Sequence, residues 1–72
     1  MDFRNANLDD VFRMLATVGG MNIVLAPGVS GTITLRLKGV DWDLALNTIC
    51  RAHGLEAVTD QNVVLIRPRQ SL

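Results

Sequence analysis

The segment Gly31-Thr32-Ile33-Thr34-Leu35-Arg36-Leu37-Lys38-Gly39-Val40-Asp41-Trp42-Asp43-Leu44-Ala45-Leu46-Asn47-Thr48-Ile49-Cys50-Arg51-Ala52-His53-Gly54 changes its hydrophobic period halfway along. Up to Lys38, Ile33, Leu35 and Leu37 alternate with Thr32, Thr34, Arg36 and Lys38, the period of two expected of a strand with one polar face. Beyond Asp41 the apolar residues are Trp42, Ala45, Leu46, Ile49 and Cys50, spaced as one stripe of a helix. Asp41 stands at the capping position and Gly54 just past the end. One segment therefore predicts a strand followed by an amphipathic helix.

Working toward the N-terminus, the pattern recurs. Leu8, Val11, Phe12, Leu15 and Ala16 form a helical stripe, with Asn7 as its expected cap and Gly19-Gly20 as its stop. Asp9 and Asp10 suit the positive end of that helix. Shifted by 34 residues, Asn7 falls on Asp41, Leu8 on Trp42, Leu15 on Ile49, Ala16 on Cys50 and Gly20 on Gly54. Residues 2–6 supply a strand before this helix, and Met21-Asn22-Ile23-Val24-Leu25, closed by Ala26-Pro27-Gly28, supplies one after it. A helical solenoid is excluded, because each unit carries strands as well as a helix.

Toward the C-terminus, Leu55-Glu56-Ala57-Val58 and Val63-Val64-Leu65-Ile66-Arg67 flank the turn-forming Asp60-Gln61-Asn62 and predict a hairpin. The expected class is α+β: two β-α-β units in the order β-α-β-β-α-β-β. The expected core is Leu8, Val11, Phe12, Leu15, Ile33, Leu35, Leu37, Trp42, Leu46, Ile49 and Cys50. Residues 1–68 are expected to form one domain. Residues 69–72, after Arg67-Pro68, read as the start of a linker within something longer.

The composition narrows the chemistry. Seventy-two residues make one small domain, whose core rarely yields more than roughly 3 to 5 kcal/mol of net stability. A single Cys cannot form an internal disulfide, and one Cys with one His falls short of the four ligands of a structural zinc site. The fold must rest on burial, which 49% hydrophobic residues can support. Seven basic residues balance seven acidic ones, scattered singly, so no basic patch for nucleic acid or anionic lipid is legible. No apolar run approaches the roughly 20 residues of a membrane span, and Met1-Asp2-Phe3-Arg4 does not read as a signal peptide.

The helix from Trp42 carries the only Trp, Cys and His of the chain, so a reactive centre must be weighed there. Cys50 lies on the apolar stripe, where a buried thiol is the plain reading. His53 falls at the helix end with no third ligand or base near it in sequence. Gly28-Val29-Ser30-Gly31 spells the GxxG loop of phosphate-clamping KH domains, yet here it lies between strands and holds no Lys or Arg. It reads as a turn. No catalytic residue, metal or cofactor is expected. Val63-Val64-Leu65-Ile66 and Ile23-Val24-Leu25 are apolar on both faces of their strands, so binding through open strand edges is the expected mode.

The ordered set Asp2-Phe3-Arg4-Asn5-Ala6-Asn7-Leu8-Asp9-Asp10-Val11, Gly20-Met21-Asn22-Ile23-Val24, Val29-Ser30-Gly31-Thr32-Ile33-Thr34-Leu35-Arg36-Leu37, Val40-Asp41-Trp42-Asp43-Leu44-Ala45-Leu46 and Asn62-Val63-Val64-Leu65-Ile66-Arg67-Pro68 resembles the short secretin and TonB N-terminal domain. This is also called the N0 domain of bacterial secretins, and the likeness runs from about residue 2 to residue 68. The pairing of VSG-x-x-x-L with V-x-W-x-x-AL is most similar to type IV pilus secretins. The resemblance implies two helices packed between a two-stranded and a three-stranded sheet, in a non-catalytic periplasmic domain of an outer-membrane channel for pilus biogenesis or type II secretion. It implies, as partners, neighbouring secretin subunits in a ring and an inner-membrane complex protein, with no nucleic acid and no membrane insertion by this domain. The alternative within the family is the signalling domain of a TonB-dependent receptor, which contacts an anti-sigma regulator. Partner contacts are expected on the strand face Thr32, Thr34 and Arg36 and the first-strand edge Phe3, Arg4 and Asn5.

Overall fold

The computed structural model describes residues 1–70; Ser71 and Leu72, the end of the expected linker, lie outside the described residues. The elements in order are β1 (Asp2–Asn7), α1 (Leu8–Gly19), β2 (Asn22–Leu25), β3 (Thr32–Arg36), α2 (Trp42–Ala52), β4 (Leu55–Asp60) and β5 (Val63–Pro68). Two helices and five strands in a two-stranded and a three-stranded sheet make the α+β class that the periodicities predict.

The two β-α-β units interleave. Their first strands, β1 and β3, pair antiparallel as one sheet, and their second strands, β2 and β4, flank β5 in the other. β5 runs parallel to β2 and antiparallel to β4. The expected hairpin forms, and Asp60 opposite Val63 leaves only Gln61 and Asn62 in its turn.

Helix ends are held differently from the sequence expectation. Asn7 and Asp41 occupy the capping positions with extended backbone, but neither side chain makes a capping bond. Asn7 is instead the last residue of β1, and the first helical amide, that of Leu8, donates to the Gly31 carbonyl at 3.0 Å. In α2 the Asp43 carboxylate accepts from the Leu44 amide at 3.0 Å. At the C-terminus of α1, Gly20 takes the left-handed conformation at φ 64°, and the Gly20 and Met21 amides converge on the Ala16 carbonyl. Met21 is thereby used in ending the helix, so β2 starts one residue later than the apolar run suggests.

Leu8, Val11, Phe12 and Leu15 of α1 meet Ala45, Leu46, Ile49 and Cys50 of α2, with Ile33 of β3 on one side and Leu55, Val64 and Ile66 on the other. All are buried. Leu35, Leu37 and Trp42 differ from the expected full burial: they are half-buried and pack against the margin. Among the described residues β3 pairs with β1 alone, so Leu35 stays open toward the other edge. Trp42 is the first residue of α2 and lies across the end of α1, where its indole Nε1–H donates to the Leu15 carbonyl. Val64 and Ile66 join the core because β5 is central and covered by both helices' apolar stripes.

Candidate interaction surface

Phe3 and Ala6 are three residues apart, a spacing that a regular strand would send to opposite faces. Both nevertheless pack against the core. The reason lies in the register: Phe3 pairs with Leu35 but Ala6 pairs with Ile33, so Arg4 and Asn5 together oppose Thr34. This is a β-bulge, with Asn5 at φ 51° and its amide donating to the Thr34 hydroxyl at 3.0 Å. Asparagine tolerates that left-handed backbone better than most residues do.

The bulge defines the outer face of the β1–β3 sheet. Arg4, Asn5, Thr32, Thr34 and Arg36 are exposed. Phe3 is not among them; it turns inward and is half-buried, so the expected strand-edge trio is split by the bulge. The alternation break in Phe3-Arg4-Asn5-Ala6 was the available sequence signal.

The outer face of the three-stranded sheet has a different character. Val24, Leu65 and Val58 lie side by side in register, and Val24 is 50% exposed. On one flank of this apolar row Arg67 Nε bonds Glu56 Oε1 at 2.9 Å across the β4–β5 pair. On the other flank lie Asn22, Val63 and Asp60. The two-sided apolar runs foreshadowed such a face, but which residues stand in one row depends on the parallel β2–β5 register.

The rare residues of α2 take positions in the core and at the helix end. Cys50 is 2% exposed in the core, and burial pushes its thiol pKa up, only partly opposed by the nearby Arg69 guanidinium. His53 is the half-buried C-cap of α2, its amide donating to the Cys50 carbonyl at 3.2 Å. No group of three or more His, Cys, Asp or Glu side chains gathers among the described residues. The segment Gly28–Gly31 is the turn between β2 and β3, and its Gly31 carbonyl is occupied by the Leu8 amide. No helix among the described residues is long and apolar enough to cross a membrane.

Residues 1–66 match the family model described as the GspD-like N0 domain. The chain is 39% identical over 72 residues to the type IV pilus biogenesis and competence protein PilQ of Neisseria meningitidis, covering all of this chain and 10% of that protein. It thus spans about a tenth of the length of that relative. Among solved structures, the type IV competence pilus secretin PilQ of V. cholerae is 37% identical, with a TM-score of 0.81 over 94% of this chain and 16% of that one. The GspC-GspD complex of enterotoxigenic Escherichia coli matches at a TM-score of 0.77 and 18% identity, covering 93% of this chain and 54% of that one, a likeness of fold.

Proposed function

The chain belongs to the GspD-like N0 domain family, the N0 domain of secretins, and from that membership we propose that it is a non-catalytic assembly domain. It would sit on the periplasmic side of an outer-membrane channel for type IV pilus biogenesis or type II secretion, touching neighbouring subunits and an inner-membrane complex protein. The family model and the pilus relatives favour the secretin reading over the receptor one. The likeness in fold to a GspC-GspD complex supports a partner from the same apparatus.

The observation that carries the partner role is the exposed outer face of the β1–β3 sheet. Arg4, Asn5, Thr32, Thr34 and Arg36 offer two cations and several hydrogen-bonding groups beside two free strand edges. Each such contact is weak alone, and a ring of copies would make it effective by avidity. Residues 1–68 act in this reading as the folded unit, with the linker beyond. The test is co-purification of the secretin with its inner-membrane partner. Reversing both charges, Arg4→Glu with Arg36→Glu, is expected to abolish capture; undiminished capture would move the partner face to the β4–β5 hairpin.

A further inference from the structure

The three-stranded sheet leaves one side of β2 open. Asn22 N–H donates to the Asn62 carbonyl at 2.9 Å and Ala26 N–H to the Ile66 carbonyl at 2.8 Å. These bonds set the phase of the ladder. Residues 22, 24 and 26 direct their backbone groups to β5, so the amides and carbonyls of Ile23 and Leu25 point to the free side. No hydrogen bond among the described residues, beyond the sheet ladder itself, uses these four groups.

Alongside them runs a groove of about 490 Å³ between α1 and β2. Its apolar lining comes from Phe12 and Ala16 of the helix and from Ile23 and Leu25 of the strand. The two charged residues on its wall, Asp9 and Arg13, form an exposed pair at 3.7 Å one turn apart on α1, so the wall carries no net charge. The groove therefore combines a row of unpaired backbone donors and acceptors at strand spacing with an apolar, electrically neutral wall.

We propose that this groove binds an extended, uncharged peptide segment of a partner protein, which adds to the free edge of β2 as a fourth strand with apolar side chains alternately facing α1. Alternating donors and acceptors along the Ile23–Leu25 edge match a strand backbone better than a helix, whose backbone groups are already used. The internally paired wall gives a charged segment no counter-charge, so a neutral one is complementary. Pairing of β2 with β2 of a second copy of this chain is the competing occupant, and the test below separates it from a partner segment. The site is separate from the outer face of the β1–β3 sheet and does not depend on it.

The test is hydrogen exchange by NMR on the 72-residue chain, titrated with a blocked heptapeptide of alternating valine and threonine. Saturable shifts are expected at Ile23 and Leu25, whose amides should exchange at least roughly ten-fold more slowly, while Val24, already in the ladder, is unchanged. Ala16→Arg fills the groove from the helix and should remove this protection; Thr17→Arg, on the exposed rim, serves the same purpose if Ala16→Arg fails to fold. Absence of protection at Ile23 and Leu25 overturns the proposal, as does protection at β1, β3 or β4 instead. Concentration-dependent shifts at these two amides without peptide would assign the edge to a second copy. Equal binding of a peptide alternating valine and lysine would overturn the neutral character.

Discussion

Two adjacent glycines do unrelated work. Gly20 supplies the left-handed turn that ends α1. Gly19 has no such backbone, but a methyl group there would run into the Trp42 indole. Trp42 thus seats on a bare helix end and donates to the Leu15 carbonyl, about one turn before the C-terminus of α1. Gly19→Ala is expected to destabilise the domain by about 1 to 3 kcal/mol through overpacking, although alanine is intrinsically the better helix former by up to about 1 kcal/mol. In a Trp42→Ala background the same change should become neutral or stabilising, and a double-mutant cycle in urea reads the reversal of sign. Trp42→Ala alone should cost about 2 to 4 kcal/mol, less than a fully buried tryptophan at the upper end, because part of its surface is already wet. For Cys50 the raised pKa leaves less thiolate at neutral pH, and burial blocks access. Its labelling by a thiol reagent should be roughly ten-fold or more slower than that of an exposed cysteine, and should speed up with urea.

The helices were readable because a period of 3.6 is written locally, and Leu8-Val11-Phe12-Leu15 or Ala45-Leu46-Ile49-Cys50 needs no distant information. Strand partners are not local. β2 pairs with β5, 41 positions away for Asn22 and Val63, and nothing in Asn22-Ile23-Val24-Leu25 names that partner. The bulge in β1 left only a local trace, the break of alternation in Phe3-Arg4-Asn5-Ala6, and its register against Leu35 and Ile33 is visible only in the paired sheet. Substitution at its left-handed position is informative: Asn5→Val forces a β-branched residue into that backbone and should cost about 1 to 2 kcal/mol, whereas Asn5→Gly should be close to neutral. Thermal melts of the two variants, compared with the parent, separate backbone strain from loss of the side chain. The exposure of Thr32, Thr34 and Arg36 was legible because they alternate cleanly, whereas Phe3, where alternation breaks, turns toward the core.

At the scale of the molecule, the internal repeat is visible in space. β1 pairs with its counterpart β3, while β2 and β4 stand on either side of β5, which has no counterpart. The two units are not independent halves, since neither sheet is made from one unit alone. Cutting the chain after Asn62 is expected to abolish cooperative unfolding altogether, because it removes the buried Val64 and Ile66 and leaves β2 and β4 without their common neighbour. A loss of the near-native melting transition in calorimetry would be the readout.

β5 is last in sequence and middle in space. A chain emerging from the ribosome, or threading through any narrow passage N-terminus first, holds β2 and β4 unpaired until residues 63–68 arrive. The closing step joins segments far apart along the chain, which slows it relative to the helices and the hairpin. This order of events makes the domain all-or-none in time as well as in energy, and it keeps the segment in a passable, unfolded form until its final strand is through.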